Sequence, residues 1–118
     1  MELSKIEIIT SSSKLSKLQS ALTKVGVTGM TVMQAIGCGV QRGTYEYLPE
    51  ENAEMELLPK TYIMLVVEDH LVEKAVETIK KELYTGHIGD GKIFVYDVEN
   101  VVKIRTGEEG YDALQDVE

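Results

Sequence analysis

The stretch Thr85 to Lys92, "TGHIGDGK", packs three glycines, an aspartate and a lysine into the approach to an apolar segment. Gly86, Gly89 and Gly91 let the backbone take positive φ and approach a ligand closely. Successive backbone N–H groups in such a turn form an anion-binding nest, to which Lys92 adds a point charge. A Walker A loop is excluded, because that motif needs a serine or threonine after the lysine and then a helix. The pattern fits two readings: a phosphate cradle built around Gly89, Asp90, Gly91 and Lys92, or a tight helix-to-strand turn with a solvated lysine. Further along, "VVKIRT" sets Lys103 and Arg105 two residues apart, on one face if the segment is extended. Two cations on one face of an acidic chain suggest a polyphosphate; a solvated strand edge that deters aggregation is the alternative.

Other reactive types offer less. His70 and His87 are the only histidines, and no Cys/His or His/carboxylate spacing forms a metal set. Cys38, between Gly37 and Gly39, is the single cysteine, so an internal disulfide is excluded. A small residue filling a strand end is the simpler role for it than a reactive thiol. No nucleophile–base arrangement is visible, so the chain is expected not to be an enzyme.

These residues need a frame to hold them. A length of 118 residues with 43% hydrophobic content suits one domain over residues 1–118 with a real core. The net charge of −8 argues against a general nucleic-acid binder. With neither leader nor long apolar run, a reducing, cytoplasmic setting is expected. Leu3 to Thr10 has strand composition. Leu15, Leu18, Leu22 and Val25 then mark a helix face, with Ser13 expected as its cap and Gly26 as its stop. Val27 to Gly39 reads as strand, and Lys60 to His70 as the central one. Leu71, Ala75, Ile79 and Leu83 recur every four residues, an amphipathic helix. "KIFVYDV" is a further strand, with Ile93 and Val95 facing opposite to Phe94 and Tyr96. "VVKIRT" is expected to add a short last strand, and residues 108–118 a loose acidic tail. This order predicts a ferredoxin-like βαββαβ α+β sandwich with both helices on one face of an antiparallel sheet. Met64, Val66 and Val95 are expected on the open face. Its exposure is unfavourable at about 25 cal/mol per Å², so self-association is expected.

One segment stands apart. Residues 40–57 carry Glu46, Glu50, Glu51, Glu54 and Glu56 against Arg42 alone. Unstructured loops beyond about 12–15 residues are uncommon in compact domains and usually functional. Tyr45, Tyr47, Leu48, Glu50 and Glu51 suit a partner-binding arm; a solvated acidic bulge is the alternative.

Four segments, "VGVTGMTV" (Val25 to Val32), "GCGVQRG" (Gly37 to Gly43), "LLPK" (ending at Lys60) and Thr85 to Glu108, resemble the PII signal-transduction proteins. The likeness runs the whole chain. It implies a compact homotrimer with a nucleotide, ATP or ADP, at each cleft between neighbours. By that likeness Gly89, Asp90, Gly91 and Lys92 wrap the phosphates from one subunit. Lys103 and Arg105 reach them from the neighbour, where Gly29, Met30 and Thr31 help hold the adenosine. Ile9, Gly37, Met64 and Val66 line the adenine and ribose side, beside Cys38, Gly39 and Val40. Gln41 and Lys60 stand where the family holds Mg²⁺ and 2-oxoglutarate, and residues 40–57 are its target-docking T-loop.

Departures from the family pattern bear on function. Val40 replaces an arginine that reaches the terminal phosphates, which predicts that ADP binds nearly as well as ATP. Leu48 stands where many members carry a modifiable tyrosine, and no arginine lies near Pro49 to enter an ammonium-channel pore. The resemblance with these departures implies a non-catalytic energy sensor acting on a partner at the membrane, a transporter component, as in a transporter-associated subfamily. The alternative is a nitrogen-regulatory protein that integrates 2-oxoglutarate with ATP to control nitrogen enzymes or an ammonium channel. Retention of Gln41 and Lys60 favours 2-oxoglutarate binding, and the acidic loop opposes it.

Overall fold

The computed structural model describes residues 2–39 and 56–115. In chain order come β1 (Leu3–Thr10), α1 (Leu15–Lys24), β2 (Thr31–Gly39), β3 (Glu56–Glu68), α2 (Val72–Leu83) and β4 (Lys92–Val98). The sheet order is β2-β3-β1-β4, and every neighbouring pair is antiparallel. This is the expected ferredoxin-like arrangement.

Period-two alternation in the strands creates the core. Ile6 and Ile8 of β1 pair with Leu65 and Ile63 of β3, and all four are buried against Leu18 and Leu22 of α1 and Ala75, Ile79 and Leu83 of α2. α1 stops where a residue with positive φ is required: Gly26 has φ 97°, and the Val27 amide donates to the Leu22 carbonyl at 2.9 Å. Its start differs from expectation. Lys14, not Ser13, takes the capping position, and no side chain caps there. The Ser12 hydroxyl instead accepts the Lys14 amide at 3.2 Å.

Three further expectations are corrected. Val95 pairs with Ile6, so register places it on the helix-side face, not the open one. "VVKIRT" forms no strand; its one ladder contact is the bridge of Val102 to Glu109, and Ile104 to Thr106 make a turn. The segment satisfies its amides locally: the Gly107 amide donates to the Lys103 carbonyl at 2.7 Å, and the Lys103 amide to the Glu108 carbonyl at 2.8 Å. The tail, expected to be loose from residue 108, makes a 3-10 turn over Gly110–Leu114 that packs on β3.

The β2–β3 ladder runs out to Gly39 opposite Glu56, longer than the sequence suggested. Pro59 is tolerated within it because β1 pairs with β3 only as far as Thr61, leaving β3 an edge there. Residues 40–55, which hold most of the expected partner arm, lie outside the described residues. The open sheet face carries Ile9, Met33, Met64, Val66, Phe94 and Tyr96, as alternation from the paired positions requires. No helix among the described residues is long and apolar enough to cross a membrane.

Candidate functional site

The glycine loop is built against the end of β1. At Gly91 (φ 102°) an added Cβ would lie 2.0 Å from the Ile9 carbonyl oxygen, so only glycine fits. The Thr10 hydroxyl donates to the Asp90 carbonyl at 2.7 Å, and the Ser11 amide to the Gly89 carbonyl at 3.1 Å. Thr10 is fully buried, which anchors this seam.

Asp90 is the loop's own clasp. Its carboxylate accepts the Thr85 hydroxyl and the Thr85 and Gly86 amides, the last two at 2.8 and 2.9 Å. The hydroxyl of Thr85 and these amides hold the carboxyl below the ordinary aspartate value of 3.8. Asp90 thus shapes the turn through its side chain, while Lys92, exposed opposite Ile9, begins β4. His87 is exposed in the same loop.

A second group gathers at the other end of β1. An open cleft of about 540 Å³ runs beside β3 where β2 has not yet begun. Gly29, Met30, Thr31, Met64 and Val66 line it, together with Tyr111 and Leu114 from the C-terminal turn. Lys103 reaches that turn: its ammonium donates to the Gln115 carbonyl at 2.7 Å and lies 3.8 Å from the Glu108 carboxylate. Arg105, exposed, sits two residues on within the turn, so the two cations do not share a strand face.

The remaining candidates fall on the sheet. Ile9, Gly37, Met64 and Val66 share the open face, and Lys60 lies across Gly37, where an added Cβ would come 3.1 Å from the lysine Cγ. Cys38 is exposed, with its side chain on the opposite face from that of Lys60. Gly39 ends the ladder. Val40, Gln41, Tyr45, Tyr47, Leu48, Glu50 and Glu51 lie outside the described residues. Among the described residues no group of three His, Cys, Asp or Glu side chains is placed to hold a metal.

Sequence reasoning missed two features. The clasp of Asp90 was readable in principle, since a hydroxyl residue five positions before an aspartate brackets the glycines. The other is a polar network on the open face. There the Glu7 carboxylate accepts Tyr62 and Tyr96 hydroxyls, the latter at 2.9 Å, and lies 3.5 Å from the Lys5 ammonium. These partners are 55 and 89 positions from Glu7, and only strand register reveals them.

Comparison with known proteins places the chain. Residues 3–108 match the family described as Nitrogen regulatory protein P-II. A nitrogen regulatory protein P-II of Azospirillum brasilense is 49% identical over 110 residues, 93% of this chain and 98% of that protein. One from Rhodospirillum rubrum is 47% identical over the same shares. The solved B. subtilis GlnK–ATP complex superposes with TM-score 0.80 at 39% identity, covering 95% of this chain and 97% of that one. The chain belongs to the P-II family, whose members are regulatory signalling proteins and not enzymes.

Proposed function

We propose that this chain is a cytoplasmic nitrogen-regulatory signalling protein that senses ATP and ADP at clefts between the subunits of a homotrimer. P-II proteins are trimers that bind regulatory targets. The observation that carries the nucleotide reading is the division of the candidate residues. The Gly89–Lys92 turn lies at one end of β1, and Gly29 to Thr31 with Lys103 gather near the other. Neither group encloses a nucleotide alone, whereas a turn from one subunit facing a cleft from its neighbour would. The B. subtilis relative solved with ATP supports the same ligand here.

In this reading the amides of Gly89 to Lys92 face the phosphates, and Lys103 and Arg105 approach from the adjacent subunit. Ile9, Gly37, Met64 and Val66 lie against the base and ribose. With Val40 in place of a cation, the terminal phosphate gains no charge-assisted contact there, so ADP and ATP bind within about tenfold of each other. Lys60, with Gln41, would serve Mg²⁺ and 2-oxoglutarate. Calorimetric titration with ATP, ADP, and 2-oxoglutarate in Mg-ATP tests each part. One nucleotide per subunit is expected for both nucleotides; no heat from either overturns the reading.

The names of the relatives favour a nitrogen-assimilation target. A transporter target is the second reading, favoured by Leu48 and by the absence of an arginine near Pro49. Capture from lysate, run separately with ATP and ADP, decides between them by the identity of the protein retained.

A further inference from the structure

The C-terminal turn occupies Lys103 as an anionic ligand would. The Lys103 side chain is only 15% exposed, with its ammonium 2.7 Å from the Gln115 carbonyl and 3.8 Å from the Glu108 carboxylate. The carbonyl is held in place from both sides of its own residue. The Gln115 amide donates to the Asp112 carbonyl at 3.3 Å, and its side-chain amide donates to the Tyr111 carbonyl at 3.4 Å. The approach to the turn is equally tied: Gly110 donates to the Val101 carbonyl at 2.9 Å, and Asn100 donates to the Glu109 carboxylate at 2.6 Å. Tyr111, Ala113, Leu114 and Gln115 then form one wall of the cleft that also holds Gly29 to Thr31.

We propose that this turn is a latch, in which the Gln115 carbonyl and the Glu108 carboxylate compete with a nucleotide's phosphates for Lys103. The proposal rests on the nucleotide reading above. Three donors would let the ammonium keep its bond to the carbonyl where it stands. There, however, the Glu108 carboxylate 3.8 Å away repels an incoming polyphosphate, so the ammonium must swing away from both. Binding therefore requires the ammonium to leave Gln115, which frees the turn from the cleft wall. Apparent affinity is the intrinsic affinity multiplied by the fraction of molecules in which the latch is open. The latch couples two events: phosphate arrival at Lys103 and release of the segment ending at Gln115. ADP and ATP differ in how much negative charge they bring to break it.

Two variants and one measurement on the intact chain test this. Ending the chain after Gly110 removes the carbonyl and the cleft wall, and Glu108→Gln on the full-length protein removes the competing charge without shortening it. Both are expected to tighten ATP in calorimetry, the truncation by roughly three- to tenfold. In the full-length protein, ATP is expected to speed hydrogen exchange across residues 110–115. Unchanged or weaker ATP affinity in both variants, or slower exchange in that segment on ATP addition, overturns the latch while leaving the nucleotide reading intact. Absence of ATP binding in all three proteins overturns the nucleotide reading, and the latch with it.

Discussion

Gly91 is the tightest backbone contact in the candidate site. Its φ of 102° disfavours any side chain, and a Cβ would clash with the Ile9 carbonyl oxygen at 2.0 Å. Gly91→Ala must push the loop off β1, breaking the bond from Thr10 to Asp90. A loss of about 2 kcal/mol or more in urea unfolding is expected, together with loss of ATP binding. Full stability with full binding would mean that the loop does not lie against β1. Asp90 makes a separate, pH-dependent contribution. Its carboxyl is held low, chiefly by the Thr85 hydroxyl, so its stabilisation is complete above the ordinary value of 3.8. It disappears as pH falls through the lower folded value. Asp90→Asn is therefore expected to speed hydrogen exchange at Thr85 and Gly86 near neutral pH. That difference from the parent should shrink once both are acidified below 3.8. A pH-independent difference would show that hydrogen-bond geometry, not charge, closes the loop.

Among the elements, the β2–β3 ladder joins the two strands that flank residues 40–55. Nine register pairs, from Thr31 opposite Met64 to Gly39 opposite Glu56, hold those strands together. Deleting Tyr45 to Glu54 is expected to change the melting temperature little and leave nucleotide affinity within about twofold, while abolishing partner capture. Capture that survives the deletion would show that the arm lies elsewhere. What sequence reveals depends on what burial and backbone geometry impose. Ile6, Ile8, Leu18, Leu22, Ala75 and Ile79 declare their elements because burial on one face imposes a period, and Gly26 and Gly91 because their φ leaves no other choice. "VVKIRT" misled for a physical reason: its β-branched composition fits a strand, but the segment turns back on itself and pairs with Glu108 and Glu109, not with the free edge of β4. Composition reports what a segment tolerates, and Lys103 shows that position depends on what lies alongside.

The open sheet face is the broad apolar surface that the helices leave uncovered. It is apolar at Met33, Met64, Val66 and Phe94, yet Glu7 stands among them with its side chain only 15% exposed. An orphan carboxylate would oppose burial of the face between subunits. Both oxygens are instead satisfied within the chain, by the Tyr62 and Tyr96 hydroxyls, and the charge is balanced by Lys5, whose ammonium also lies 4.6 Å from the centre of the Tyr96 ring. These contacts, the Tyr62 hydroxyl first, hold the Glu7 carboxyl below its ordinary value of 4.5. The same carboxylate raises the two phenols above 10.0. The signs set a window. Stabilisation by ionised Glu7 is complete above 4.5 and is lost as pH falls through its lower folded value. Stabilisation by the protonated phenols is complete below 10.0 and is lost as pH rises through their higher folded values. If this face is the contact between subunits, Tyr62→Phe leaves one carboxylate oxygen without its hydroxyl donor in a dry interface. Native mass spectrometry of a dilution series should then show the trimer dissociating at a concentration about tenfold higher than the parent, near neutral pH. Adding Glu7→Gln to Tyr62→Phe removes the unpaired charge and should recover part of the loss. Equal dilution resistance in Tyr62→Phe and parent would show that the network lies outside the subunit contact. Recovery by Glu7→Gln would show that the tyrosines are there to make a charged face fit to be buried.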